Sequence, residues 1–213
     1  MRPDIEGLFI AVMGIVEEND ALFSIGLGAN AVGFDFGPTT HNISTQAAHD
    51  IIRRLPHGAL SIGVFRNETP QRIVEIANSI GLSIVQVQSH QSRSDFEWIQ
   101  ERVATVFSVA QNWETRNIDA LITPNSDSKD ELGQSLNAFT QSGTTVANVC
   151  GGGLDCSNVV EFVQRFPVWG IEVLSGVEFS PGVKDPALLG QFISNARWAY
   201  DNALIGPNEV DNR

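Results

Sequence analysis

Near the C-terminal end, two glycine-bearing stretches, GGGLD at 151–155 and SGVEFSPGVKDP at 175–186, each follow an apolar run that stops abruptly. Glycine lets a backbone come close to a ligand, and amides at a helix start present the positive end of its dipole, so such loops suit an oxyanion. Phosphate is the ligand chemistry this predicts, with Gly152, Gly153, Leu154, Ser175, Gly176 and Val177 as candidate phosphate-binding residues. Tight turns alone would also use glycine, but two loops in this relation favour the cradle. Three charged residues stand at or near the ends of other apolar runs: Asp35 in GFDF, Arg66 in VFRNE and Glu172 in GIEVL. Facing one cavity, they would supply two carboxylates and a cation, sufficient for a proton-transfer pair with an anion clamp. The competing reading of each is a surface position or a structural ion pair.

These residues need elements that bring them together. Short apolar, β-branched runs occur at 8–13, 31–36, 60–65, 83–88, 105–110, 119–123, 144–150 and 169–174, which predicts eight strands. Helix start signals lie between them: Ser44 before TQAAHDIIRRL, Thr69-Pro70 before QRIVEIANSIG, Asp155 before CSNVVEFVQRF and Asp185-Pro186 before ALLGQFISNARWAYDNAL. Eight strand–helix units without a low-complexity linker predict an α/β fold, a single (β/α)8 barrel over residues 1–213 with a short polar tail from about residue 205. An open, doubly wound sheet is the alternative. The stretch from 104 to 144 is the least regular, because NWETRN is short for a covering helix. In a barrel the chemistry lies at the C-terminal strand ends, and the loops after strands 7 and 8, where the two glycine stretches fall, commonly hold a phosphate. Barrel order also makes Arg66, after strand 3, the nearest partner for Asp35 on strand 2 if that carboxylate is buried.

Composition narrows the function classes. The 25 acidic residues exceed the 13 basic ones for a formal net charge of -12, which sets the protein's own field against nucleic acid or an anionic membrane. No apolar run approaches a membrane span and the start MRPDIEG has no signal-peptide pattern, so a cytoplasmic protein is expected. Cys150 and Cys156 fit neither a zinc pair nor a redox pair and read as free thiols, Cys150 within a buried strand; no metal or cofactor is expected. His49, His57 and His90 read as solvated helix and loop residues. The expected partner is a small phosphorylated metabolite, bound by a monomer or homodimer.

GGGLDCSNV followed by GIEVLSGVEFSPGVKDPALLGQFI resembles the closing third of the phosphoribosylanthranilate isomerase family, whose pattern there is AGGLxPxNV and then GVDVSSGVExxPGxKD. The resemblance extends forward: AVMGIVEENDA matches the family's KICGxTxxEDA, AVGFDFGPTTHNIS its xxGFxFxxxSxRYxS, IGVFRNE its VGVFVNE, and VQVQS its VQLHG. It implies a (β/α)8 barrel and an Amadori rearrangement of N-(5-phosphoribosyl)anthranilate in tryptophan biosynthesis. In that reaction an Asp acid opens the ribose ring and a Cys base takes the proton from the carbon beside the imine.

The departures from the pattern fall on the chemistry. The base position holds Met13, whose thioether has no proton to exchange, and the acid position falls on Pro124. The arginine that holds the substrate carboxylate aligns with His41, the lysine before the cysteine with Ala11, the histidine of VQLHG with Gln88, and the aspartate of GVDVSSG with Glu172. His41, Arg66 and Gln88 are therefore the candidate substrate-binding residues. Loss of one catalytic group commonly lowers a rate by ~10² to 10⁴, so the family reaction here needs substitute groups, for which Glu172 and Asp35 are the catalytic candidates. The expectation is a phosphoribosylanthranilate isomerase-like protein that binds a phosphorylated ribose-type ligand. The alternatives are a binding protein without turnover, or an isomerase acting on another sugar phosphate through Asp35 and Glu172.

Overall fold

The computed structural model describes residues 3–88, 92–109, 120–122 and 147–204. Eight parallel strands close into a barrel: β1 (Phe9–Val12), β2 (Ala31–Asp35), β3 (Leu60–Phe65), β4 (Ile84–Gln88), β5 (Val106–Val109), β6 (Ala120–Ile122), β7 (Ala147–Cys150) and β8 (Gly170–Val173). Ala11 of β1 is in register with Ala31 of β2 on one side and Glu172 of β8 on the other. That seam closes the sheet and rules out the open, doubly wound arrangement.

Strands in such a barrel are covered on both faces, which is why they read as continuous apolar runs rather than alternating ones. The alternation survives in what each face touches. Phe9, Ala11, Met13, Ala31, Ile62, Val64, Ile84, Phe107, Ala147 and Val149 form one buried cluster inside the barrel, while Ile10, Val12, Val32, Phe34, Val85, Val87 and Ile171 belong to the layer beneath the helices. Phe9 stacks on Trp169 at 4.7 Å and meets the Phe107 ring edge-on at 6.1 Å, plugging the N-terminal end. By parity with the interior cluster, Asp35, Gln86, Gly151 and Glu172 also point inward, but near the C-terminal ends.

The helices start where side chains satisfy their first amides. Ser44 Oγ accepts from the Ala47 amide at the head of α2 (Thr45–Ile52), and Thr69 Oγ1 from the Arg72 amide at the head of α3 (Pro70–Ile80), where Pro70 occupies a position that needs no N–H. Ser92 and Asp95 form a reciprocal capping box on α4 (Arg93–Gln100), and Asp185 Oδ1 accepts from the Ala187 and Leu188 amides at the start of α6 (Pro186–Leu204). A further helix, α1 (Glu18–Gly26), follows β1. Among the described residues no helix is long and apolar enough to cross a membrane.

One local expectation is corrected. Asp155 does not cap a helix beginning at 156, because its Oδ1 is taken by the amide and hydroxyl of Ser157 at 2.7 and 2.6 Å, and α5 (Val159–Arg165) starts three residues later. The loop after β8 also carries structure of its own: Glu178–Ser180 and Val183–Lys184 pair antiparallel as the hairpin β9–β10. Its turn carries Gly182 at φ +83°, a conformation that glycine adopts without strain.

Candidate active site

The two glycine loops meet above β7 and β8. Gly152 and Gly153 adopt φ of +83° and +65°, and among the described residues neither amide donates to a protein acceptor. Ser175–Val177 forms a single 3-10 turn, whose first amides have no acceptor within the turn. A side chain at Gly176 would place its Cβ 2.0 Å from the Leu154 carbonyl oxygen, so glycine here is a condition for the two loops to touch. Leu154 and Val177 turn their side chains into the core cluster, which leaves only their backbones for a ligand.

Below these loops a polar pair crosses the apolar barrel. Glu172 on β8 and Gln86 on β4 are 8% and 5% exposed, and three strands lie between theirs in either direction, so they reach across from opposite walls. The Glu172 side chain lies over Gly151, where a Cβ would come within 2.3 Å of its Cγ. Burial pushes the Glu172 carboxyl up to about 7, opposed by a hydrogen bond from Gln86 and more weakly by the charge of Arg66. Among the described residues Gln86 Oε1 is buried without a hydrogen-bond partner.

Asp35 is committed elsewhere. Its Oδ2 accepts from Arg66 Nη2 at 2.8 Å and Nε at 3.3 Å, and its Oδ1 from the Gly37 amide at 2.9 Å. The carboxylate is buried while the Arg66 side chain is 35% exposed. Pairing across adjacent strands thus meets the cost of burying Asp35 and fixes the guanidinium at the mouth, with its Nη1 edge outside the pair.

A second cluster locks the mouth from the other side. His41 Nε2 lies 3.0 and 3.1 Å from the two Glu178 carboxylate oxygens, and its ring packs over Gly14 at the end of β1. A ring nitrogen facing a carboxylate carries its proton there, so this side of His41 is engaged. Lys184 Nζ, almost fully buried, donates to the Met13 carbonyl at 2.6 Å, the Leu174 carbonyl at 3.3 Å and Glu178 Oε1 at 2.7 Å. Burial pulls the Lys184 ammonium down from its ordinary value, against the bond and charge of Glu178 and the charge of Asp20. Met13 is buried with its thioether over Gly33, where a Cβ would come within 2.4 Å of Met13 Cε.

The structure thus places Glu172, Asp35, Arg66, His41 and both glycine loops at the C-terminal end of the barrel. Gln88 ends β4, but its side chain lies outside the described residues, as do Pro124 and His90. His57 is exposed, His49 is half-buried on α2, and neither Cys150 nor Cys156 is in a disulfide. Gln86, Glu178 and Lys184 were not singled out from the sequence. The signals were present, since Gln86 is an inward position of a buried strand and Glu178 and Lys184 stand in the SGVExxPGxKD pattern.

Two variants test this geometry. Asp35→Asn keeps an acceptor for the Gly37 amide but removes the charge facing Arg66, and should destabilise the fold by about 1–3 kcal/mol in urea titrations, moderated by the access of Arg66 to water. For Glu172 the folded-state value lies above the unfolded 4.5, so its contribution to stability is fully present below pH 4.5 and is lost as pH rises through about 7. That displacement is worth roughly 3 kcal/mol. Glu172→Gln cannot ionise and should gain on the wild type by up to that amount between about pH 5 and about pH 8. Parallel stability profiles would show that Glu172 is not the buried acid.

Residues 10–195 match the family described as N-(5'phosphoribosyl)anthranilate (PRA) isomerase. The N-(5'-phosphoribosyl)anthranilate isomerase of Pelodictyon phaeoclathratiforme is 30% identical over 208 residues, covering 88% of this chain and 97% of the relative. The crystal structure of phosphoribosyl anthranilate isomerase from Thermotoga maritima superposes with a TM-score of 0.81 at 29% identity, over 90% of this chain and 99% of that one. A phosphoribosyl anthranilate isomerase solved in complex with reduced 1-(o-carboxyphenylamino)-1-deoxyribulose 5-phosphate gives a TM-score of 0.74 at 28% identity, with coverage of 90% and 99%. A closed eight-stranded barrel, glycine loops after its last two strands and a match along nearly the whole chain agree: the protein belongs to the phosphoribosylanthranilate isomerase family.

Proposed function

We propose that this chain binds a phosphorylated ribose-type ligand across the mouth of the barrel and that Glu172 moves a proton on it. The phosphate lies against the amides around Gly152, Gly153, Gly176 and Val177, with Ser175 and Leu154 completing the loops. Arg66, fixed by Asp35, presents its remaining N–H groups to an anionic part of the ligand, with His41 and Gln88 on the same rim. The observation that carries the reading is Glu172, a carboxyl raised to about 7 beneath the two glycine loops. A group with a value near the working pH can serve as acid and as base. The related isomerase solved with a reduced ribulose 5-phosphate compound supports a phosphosugar as the ligand class.

On an aldosylamine phosphate, neutral Glu172 gives its proton to the ring oxygen as the C1–O bond breaks, leaving an iminium. The resulting carboxylate takes the proton from C2, whose bonding electrons form the C1–C2 double bond of an enol-amine and neutralise the nitrogen. Glu172 ends protonated, as it began. Water carries the enol proton away and supplies one to C1 as the ketone forms. Asp35 acts through Arg66 in this scheme, without touching the ligand. Met13, at the family's base position, takes no part in proton transfer, and this favours a second reading in which the chain holds the phosphosugar without turning it over.

Phosphate binding and turnover are tested separately. Inorganic phosphate should bind the wild type in calorimetric titration and should not bind Gly176→Val, whose side chain pushes the loops apart; equal affinity in the variant would remove the cradle.

Isomerase activity towards phosphoribosylanthranilate should be low in the wild type and lower by ~10² or more in Glu172→Gln. It should rise in Met13→Cys combined with Pro124→Asp. Phosphate binding without wild-type turnover would decide for the second reading.

A further inference from the structure

We propose that Gln86 is the positioning residue that holds Glu172 in both of its protonation states by turning its side-chain amide end for end. The proposal rests on the reading of Glu172 as the group that moves a proton. A carboxyl that first donates and then accepts changes its hydrogen-bonding character at each step: the acid offers an O–H, the carboxylate only lone pairs. In water the solvent answers both states. Glu172 is buried over Gly151, so a neighbouring side chain has to answer them instead.

A primary amide is suited to that position because one end donates and the other accepts, in nearly the same shape. The Gln86 side chain acts on Glu172 as a hydrogen-bond donor that favours the carboxylate, and its Oε1 is, among the described residues, left buried without a partner. An orphaned buried carbonyl is disfavoured and asks for an explanation. A half-turn of the amide supplies one: Oε1 then accepts the O–H of neutral Glu172, and the amide occupies the same volume. Lysine or arginine at this site would hold only the carboxylate, and a carboxylate at 86 would repel it. The one charge whose field reaches Glu172 among the described residues is that of Arg66, and it is already paired with Asp35. Protonation of the pair is therefore read by the amide, while the neighbouring ion pair stays in place.

The test follows the two groups by spectroscopy and needs no turnover. In protein carrying 13C at glutamate carboxyls, the Glu172 signal is assigned by its loss in Glu172→Gln and titrated in wild type and in Gln86→Met. Removing the bond that favours the carboxylate should raise the Glu172 midpoint by about one pH unit, whereas a merely structural Gln86 would leave it in place while lowering the melting temperature. In the wild type, the 15N side-chain amide signals of Gln86 should shift with the same midpoint as Glu172. An unchanged midpoint in folded Gln86→Met overturns the proposal, as do Gln86 amide signals that stay flat through the Glu172 transition. The wild-type measurement decides alone if the variant does not fold. Full turnover in Glu172→Gln would sink the acid–base reading without altering either titration, so the two failures are distinguishable.

Discussion

One buried ammonium holds the working end of this barrel together. Lys184 comes from the last hairpin, yet its acceptors are the carbonyl that ends β1, the carbonyl that ends β8 and a carboxylate of its own hairpin. It therefore stands at the seam where the first and last strands join, and it satisfies carbonyls that the sheet leaves open there. Glu178, neutralised by Lys184, reaches His41 in the loop after β2. Three successive strand ends, β8, β1 and β2, are tied into one unit by two side chains and a ring. The phosphate loop hangs from that unit, since the Asp185 amide, next to Lys184, closes on the Val177 carbonyl.

The opposite half of the mouth is organised by charge of the other arrangement. Asp35 and Arg66 neutralise one another across β2 and β3, so their mutual attraction offsets the cost of burial and leaves little net field. Among the described residues Glu172 has no such counter-ion in contact; burial raises its carboxyl to about 7, against the amide of Gln86 and, more weakly, the charge of Arg66. Asp35, Glu178 and Glu172 thus differ in their partners: Asp35 is paired with Arg66 and Glu178 with Lys184, while burial holds the Glu172 carboxyl above its ordinary value.

Much of this was legible in the chain. The eight apolar runs matched the eight strands because barrel strands are buried on both faces and leave their mark as uninterrupted hydrophobic stretches. The glycine loops were recognisable by composition, and adjacency of strands 2 and 3 was enough to pair Asp35 with Arg66. What could not be read were contacts made through the barrel axis or between distant loops. Gln86 and Glu172 meet because eight strands close, and nothing local to VQVQ or GIEVL encodes the distance between opposite walls. His41 aligned with a substrate clamp, but its engagement by Glu178 depends on a hairpin hidden in a stretch rich in turn residues. Asp155 looked like a helix cap, and Ser157, two residues on, captured the carboxylate first.

The contact between Glu172 and Gly151 couples two neighbouring strands through a missing side chain. A Cβ on residue 151 would come within 2.3 Å of Glu172 Cγ and 2.5 Å of its Oε1, so the carboxyl keeps its present place only while position 151 is bare. Residues 151 and 172 are therefore free to vary only as a pair: whatever is added at one has to be taken away or turned aside at the other.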